Sequence, residues 1–190
     1  MQYYNPNIEE IYYIKVTSDK IESPDRAYFN TMDIITIEEI ENKLRSMGYQ
    51  MDWRKGYEEH EYALNKILIV SFVCNKIEGD KWLGYINIDG CFAAYDKNLE
   101  FCYKFIKDIN DNIFKVRLFD LYDEEIKTDL NSVEDFKSKV KKHYEKDYKN
   151  FVERFGEFDE LVMADEDFYM LNNAKHRRKW SRVRFYKSFL

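Results

Sequence analysis

Lys66-Ile67-Leu68-Ile69-Val70-Ser71-Phe72-Val73-Cys74-Asn75 decides the fold class. From Ile67 to Asn75 no residue carries a charge, and four of the nine side chains are β-branched. A run this short and this β-branched reads as a strand buried on both faces, in the middle of a sheet, with helices to cover it. The same stretch is the longest uncharged run in the chain and falls far short of the roughly 20 residues that a membrane span requires.

Outward from this strand, Glu10 to Thr17 alternates and is rich in Tyr, Ile and Val, which predicts a first strand. Ile37, Ile40, Leu44 and Met47 recur at helical steps, with Thr36 and Glu39 spaced as a capping box and Gly48 placed to end the helix. On the other side, Lys81 to Ile88 and Cys91 to Tyr95 flank Asp89-Gly90, the two-residue signal of a type I′ hairpin. Leu99 to Ile109 fits two periods. Phe101, Tyr103 and Phe105 alternate as in a strand, whereas Leu99, Cys102, Ile106 and Ile109 share a helical face, and the first half is read as strand. Phe114, Val116 and Leu118 predict a further strand.

Val133 to Phe155 keeps helical spacing for six turns, through Phe136, Val140, Tyr144, Tyr148, Phe151 and Val152, and is read as one helix capped by Asn131 or Ser132 and ended by Gly156. Its aromatic stripe serves either to pack on the sheet or to receive a partner. The fold expected is α+β: one domain over residues 1–190, with a mixed or largely antiparallel sheet of five to seven strands and two or three helices packed on it. Ser18 to Asp33 lacks a period and is flagged as a lid or binding loop.

Composition bounds the function. The 190 residues contain 30 Lys and Arg against 36 Asp and Glu, a net charge of −6, and 45% hydrophobic residues exclude a disordered chain. The N-terminus lacks the succession of a secretory signal, so a soluble, cytoplasmic protein without membrane association is expected. Sixteen Tyr, 14 Phe and 3 Trp demand an aromatic core and predict aromatics on the surface as well. The Lys, Ile, Asn, Tyr and Phe content also matches AT-rich coding, common in low-GC bacteria and their phages and mobile elements. Cys74, Cys91 and Cys102 form no short pair and read as small buried hydrophobes.

No motif carries chemistry outright. Neither G-x-x-x-x-G-K nor G-x-G-x-x-G occurs, and Ser71 has no glycine neighbours to form a nucleophile elbow. Glu59-His60-Glu61 opens like a zinc-protease helix, but Leu64 stands where the second histidine belongs. A site built from His60, Glu58, Glu61 and a distant cysteine would have to be assembled in the fold. Of four acid-x-Lys matches to a metal-dependent nuclease pattern, only Glu125 and Lys127 follow a strand. No catalytic residue, metal or cofactor is assigned on this basis.

The most distinctive feature is the C-terminal charge reversal. Phe168 to Leu190 contains no acid and carries +7, leaving −13 on the rest of the chain. The candidate binding residues are Lys175, Arg177, Arg178, Lys179, Trp180, Arg182 and Arg184, within a basic segment spanning 175–190. Arginines interleaved with aromatics suit phosphate charge and base stacking, and their alternation suits a strand. The same charges could be neutralised by the acidic body. Three functions follow: a non-enzymatic protein that occludes a protein partner, as an inhibitor or immunity protein does; a nucleic-acid-binding protein that uses the basic aromatic strand; and a small metal-dependent hydrolase or nuclease.

Overall fold

The computed structural model describes residues 2–4, 11–22, 35–53, 60–65, 67–77, 79–92, 94–157 and 183–185. In chain order the elements are β1 (Gln2–Tyr4), β2 (Ile11–Ser18), α1 (Ile37–Ser46), β3 (Met51–Trp53), β4 (Glu61–Leu64), β5 (Leu68–Ile77), β6 (Asp80–Cys91), α2 (Tyr95–Asn112), β7 (Val116–Phe119), α3 (Val133–His143), α4 (Glu145–Phe155) and β8 (Val183–Phe185). The architecture is α+β. Six antiparallel strands form one sheet in the order β3-β4-β5-β6-β2-β7, and β1 pairs with β8 in a separate ribbon.

The apolar run becomes β5, one of the two central strands. Its residues Leu68, Ile69 and Val70 are fully buried although they point alternately to opposite faces, as a doubly covered strand requires. The rows of the core face follow from register. Tyr62, Val70, Ile88 and Ile14 lie across β4, β5, β6 and β2, and Phe72, Ile86, Val16 and Leu118 extend the next row to β7. Each row places apolar side chains side by side, which is the unit of sheet stabilisation.

Helix α1 begins as its sequence predicts. The Thr36 hydroxyl accepts from the Glu39 amide, and the Glu39 carboxylate accepts from the Thr36 amide at 2.8 Å. This arrangement satisfies two of the orphan donors of the first turn.

Three local readings are corrected by the structure. Asp89-Gly90 is not a hairpin but the interior of the 12-residue strand β6, where Asp89 lies opposite both Ile69 and Tyr13 and Gly90 lies opposite Tyr12. The hairpin sits ten residues earlier: Ile77 pairs with Asp80, and Gly79 between them takes φ +96°. Residues 99–109 belong to the 18-residue helix α2, because Leu99, Cys102, Phe105, Ile106 and Ile109 are its fully buried stripe. The helix expected from Val133 to Phe155 is two helices that break at Tyr144 (φ −107°, ψ 19°). These changes raise the helix count to four.

The aromatic stripe of α3 and α4 turns inward. Phe136, Tyr144 and Phe151 are at most 2% exposed, and Phe92, Tyr95, Tyr148 and Phe151 pack ring to ring, with Tyr95 and Tyr148 centroids 4.9 Å apart. Among the described residues no helix is long and apolar enough to cross a membrane. Of the loop expected at 18–33, residues 23–33 lie outside the described residues.

Candidate functional site

Strand β7 ends at Phe119 and hands the chain to a tight turn, Asp120-Leu121-Tyr122-Asp123-Glu124. Asp120 is 4% exposed and organises this turn. Its Oδ1 accepts from the amides of Tyr122 (2.8 Å) and Glu124 (2.9 Å), while Oδ2 lies 2.9 Å from His143 Nδ1. The backbone closes on itself as well: the Asp120 amide donates to the Glu124 carbonyl, and the Asp123 amide to the Asp120 carbonyl, with Asp123 at φ +61°. Aspartate tolerates this left-handed conformation better than most residues.

From the other side, the break between α3 and α4 grips the turn. Tyr144 Oη accepts from the Leu121 amide at 2.9 Å and donates to the Tyr13 carbonyl at 2.5 Å, tying the turn, the helix junction and β2 together. Lys15 on β2 pairs with Asp123 at 2.5 Å. Burial pushes the Tyr144 hydroxyl above its ordinary value, so it remains a donor throughout the neutral range.

What this scaffold displays is apolar. Leu121 is 48% and Tyr122 69% exposed, and Tyr122 is the only exposed aromatic among the residues whose side chains the structure describes. The other aromatics whose burial the structure describes are packed inside or half-buried. Beneath the turn opens a groove of about 500 Å³ lined by Asp120, Tyr122, Glu124, Lys139, Lys142 and His143. A second concavity continues along Lys142, Lys146 and Lys149. Lys142 and Lys146 have no ion-pair partner among the described residues, so their charge faces solvent.

Glu125 and Lys127 line the same groove. Arg117 Nε donates to Glu125 at 2.8 Å and holds its carboxyl below the usual carboxylate range, and the same guanidinium donates to the carbonyls of Ile21 and Glu22. Glu125 is therefore the counter-ion of a structural arginine. Lys127, 84% exposed, lies 3.9 Å from it.

His60 finds a partner that its neighbours in sequence do not supply. Its Nδ1 lies 2.9 Å from Glu41 on α1, the Tyr62 hydroxyl donates to the same carboxylate oxygen, and Lys81 Nζ lies 3.4 Å from His60 Nε2. Burial, reinforced by Glu41, pushes the Tyr62 hydroxyl up. His60 holds φ +70° within a concavity of about 350 Å³ that also includes Thr36 and Glu38. Both ring nitrogens are engaged, and Glu58 lies outside the described residues.

Lys175, Arg177, Arg178, Lys179, Trp180 and Arg182 lie outside the described residues. Arg184 falls within β8, opposite Tyr3 of β1. Cys91 and Cys102 are buried free thiols, with burial raising the Cys102 thiol well above its ordinary value, and Cys74 is half-buried.

Sequence reasoning missed Asp120, His143 and the Leu121-Tyr122 display. The two partners stand 23 residues apart, one after a strand and one at a helix end. The only local signal was an aspartate placed to cap its own turn two residues on. No protein-family model matches the chain, and comparison with curated proteins and with solved structures finds no match.

Proposed function

We propose that this chain is a non-enzymatic macromolecule-binding protein that occludes a protein partner through the 120–124 turn. The observation that carries the reading is the rigid display of Leu121 and Tyr122. Ordering a turn costs conformational entropy, and here three hydrogen bonds from one buried carboxylate and one from Tyr144 hold two apolar side chains out in water. Such preorganisation lowers the cost of association, and tyrosine is among the residues that anchor interfaces. The lysines beside it define the partner's chemistry: an apolar pocket for Leu121 and Tyr122, rimmed by carboxylates. Inhibitor- or immunity-type occlusion, of the kind a phage or mobile element encodes, matches this chemistry and the AT-rich composition.

The test is a photo-crosslinking residue placed at position 122 and, as a control, at Glu38 on α1. A protein joined only from position 122 is purified and titrated against the parent and against Tyr122→Ala. A loss of about tenfold or more in affinity is expected, since an interface tyrosine contributes on the order of 2 kcal/mol. Equal crosslinking from both positions, or unchanged affinity for Tyr122→Ala, overturns the reading.

Nucleic-acid binding through the basic C-terminal segment is the second reading. It draws on the strand at Val183–Phe185, which includes Arg184. It predicts affinity that falls steeply with salt and is lost in the combined Arg177→Ala, Arg178→Ala and Arg182→Ala variant. A flat low-salt gel shift removes it.

A further inference from the structure

Three metal-ligating side chains converge at the foot of the 120–124 turn. One ligand atom each from Asp120, Glu124 and His143 can be chosen so that all three lie within 4.8 Å of one another. The convergence is built by the fold. Asp120 directly follows β7, the turn returns the chain so that the Glu124 amide reaches Asp120, and His143 is the last residue of α3. We infer that Asp120, Glu124 and His143 form a site for one borderline divalent cation of the zinc and cobalt class.

Two observations separate this cluster from a simple surface ion pair. The Glu124 carboxylate has no hydrogen-bond or ion-pair partner among the described residues, and neither has His143 beyond Asp120. Both retain free ligand capacity beside the groove. In addition, His143 Nδ1 and Asp120 Oδ2 already stand 2.9 Å apart as a hydrogen-bonded pair, so a small rotation of the imidazole opens them to the roughly 3.4 Å between adjacent ligands of a tetrahedral ion. Asp120 is held by two backbone amides, the kind of outer hydrogen bonding that orients a ligand before metal arrives. Rotation of the exposed Glu124 side chain brings the third ligand in.

Donor chemistry selects the ion. One imidazole and two carboxylates suit a borderline metal that accepts three protein ligands and completes its shell with water. Calcium requires six to eight oxygens, more than these residues offer. Lys139 and Lys142 line the same groove, and their charge opposes a hard ion held by electrostatics alone. A bound ion would cross-link the turn to the junction of α3 and α4 beneath Leu121 and Tyr122. The inference does not depend on the occlusion reading, since metal is measured without any partner.

The experiment is titration of the purified full chain with Co²⁺ alone, followed by visible absorption, and with Zn²⁺ alone, followed by calorimetry. One ion per chain is expected at neutral pH. His143→Gln and Glu124→Gln should each weaken binding about tenfold or more, while His60→Gln should leave it unchanged. If His143→Gln fails to fold, Glu124→Gln, which alters an exposed side chain, still decides. Zn²⁺-induced shifts of the His143 ring resonances in the parent protein give a third reading. Absence of Co²⁺ and Zn²⁺ binding, binding indifferent to both substitutions, or binding lost only with His60→Gln overturns the inference.

Discussion

The ring of Tyr12 lies against the Cα of Gly90, directly across the β2–β6 pair. A Cβ built on Gly90 would stand 2.1 Å from Tyr12 Cζ, and Tyr12 is fully buried with its hydroxyl donating to Asn98 at 3.0 Å. The ring has nowhere to go, because Tyr95 and Phe92 pack on it at 5.4 and 6.1 Å between centroids. Gly90→Ala should therefore destabilise by about 3 kcal/mol, the upper end of overpacking costs, although alanine is ordinarily better than glycine in a strand. Tyr12→Phe should cost about 1 kcal/mol for the lost hydrogen bond to buried Asn98. Urea unfolding measures both, and a neutral Gly90→Ala would show that the Tyr12 ring yields.

Display and scaffold should separate in the 120–124 turn. Leu121→Ala and Tyr122→Ala remove exposed side chains and should stay within about 0.5 kcal/mol of the parent in stability, while weakening partner binding. Asp120→Ala strands the amides of Tyr122 and Glu124 and the His143 ring, and should cost about 3 kcal/mol. Thermal and urea unfolding of the three variants distinguish the roles; a marked loss of stability in Tyr122→Ala would make that residue structural.

Tyr144 tests why the long amphipathic pattern breaks. Its hydroxyl serves the Leu121 amide and the Tyr13 carbonyl simultaneously, so Tyr144→Phe should cost about 2 kcal/mol by removing both hydrogen bonds. The loss should be local as well. Hydrogen exchange of the Leu121 amide should accelerate ahead of amides in the centre of β5, and uniform acceleration would show that the hydroxyl does not anchor the turn.

Stability should be bounded at both ends of the pH scale. Tyr12, Tyr49, Tyr62, Tyr95 and Tyr144 all have hydroxyls raised above the ordinary 10.0, with burial the first cause in each. Above pH 10 the unfolded chain loses these protons while the folded chain keeps them, so stability falls as pH rises. Asp96 is lowered from 3.8 by its hydrogen bond to Lys141, with help from Lys137, and Glu125 is lowered from 4.5 by Arg117. These carboxylates contribute stability above their unfolded values that is lost as pH falls through their folded values. Urea midpoints across the range should form a plateau at neutral pH with a loss on each side. At the alkaline limb, the buried tyrosines' share of the tyrosinate absorbance should appear together with loss of near-ultraviolet dichroism; buried tyrosines ionising before unfolding would contradict the assignment.

Features that rest on neighbours in sequence were legible without the fold. The capping box of Thr36 and Glu39 involves residues three apart, and the central position of β5 follows from an apolar run that water cannot face. Leu99 to Ile109 was ambiguous because Phe101 and Tyr103 mimic a strand; burial of Cys102, Phe105 and Ile106 between sheet and helices decides for helix. Asp89-Gly90 misled because its glycine answers a ring 78 residues earlier, not a turn.

The candidate site belongs wholly to the second kind of feature. By itself the sequence determined the α+β class, the central strand and the ends of the first helix, since hydrophobic period and capping are local properties of the chain. Only the tertiary structure placed Asp120 against His143, bound Leu121 to Tyr144 and turned Tyr122 outward. Those contacts join a strand end to a helix junction, and no spacing along the chain encodes a distance that arises only when the sheet and the helices are packed.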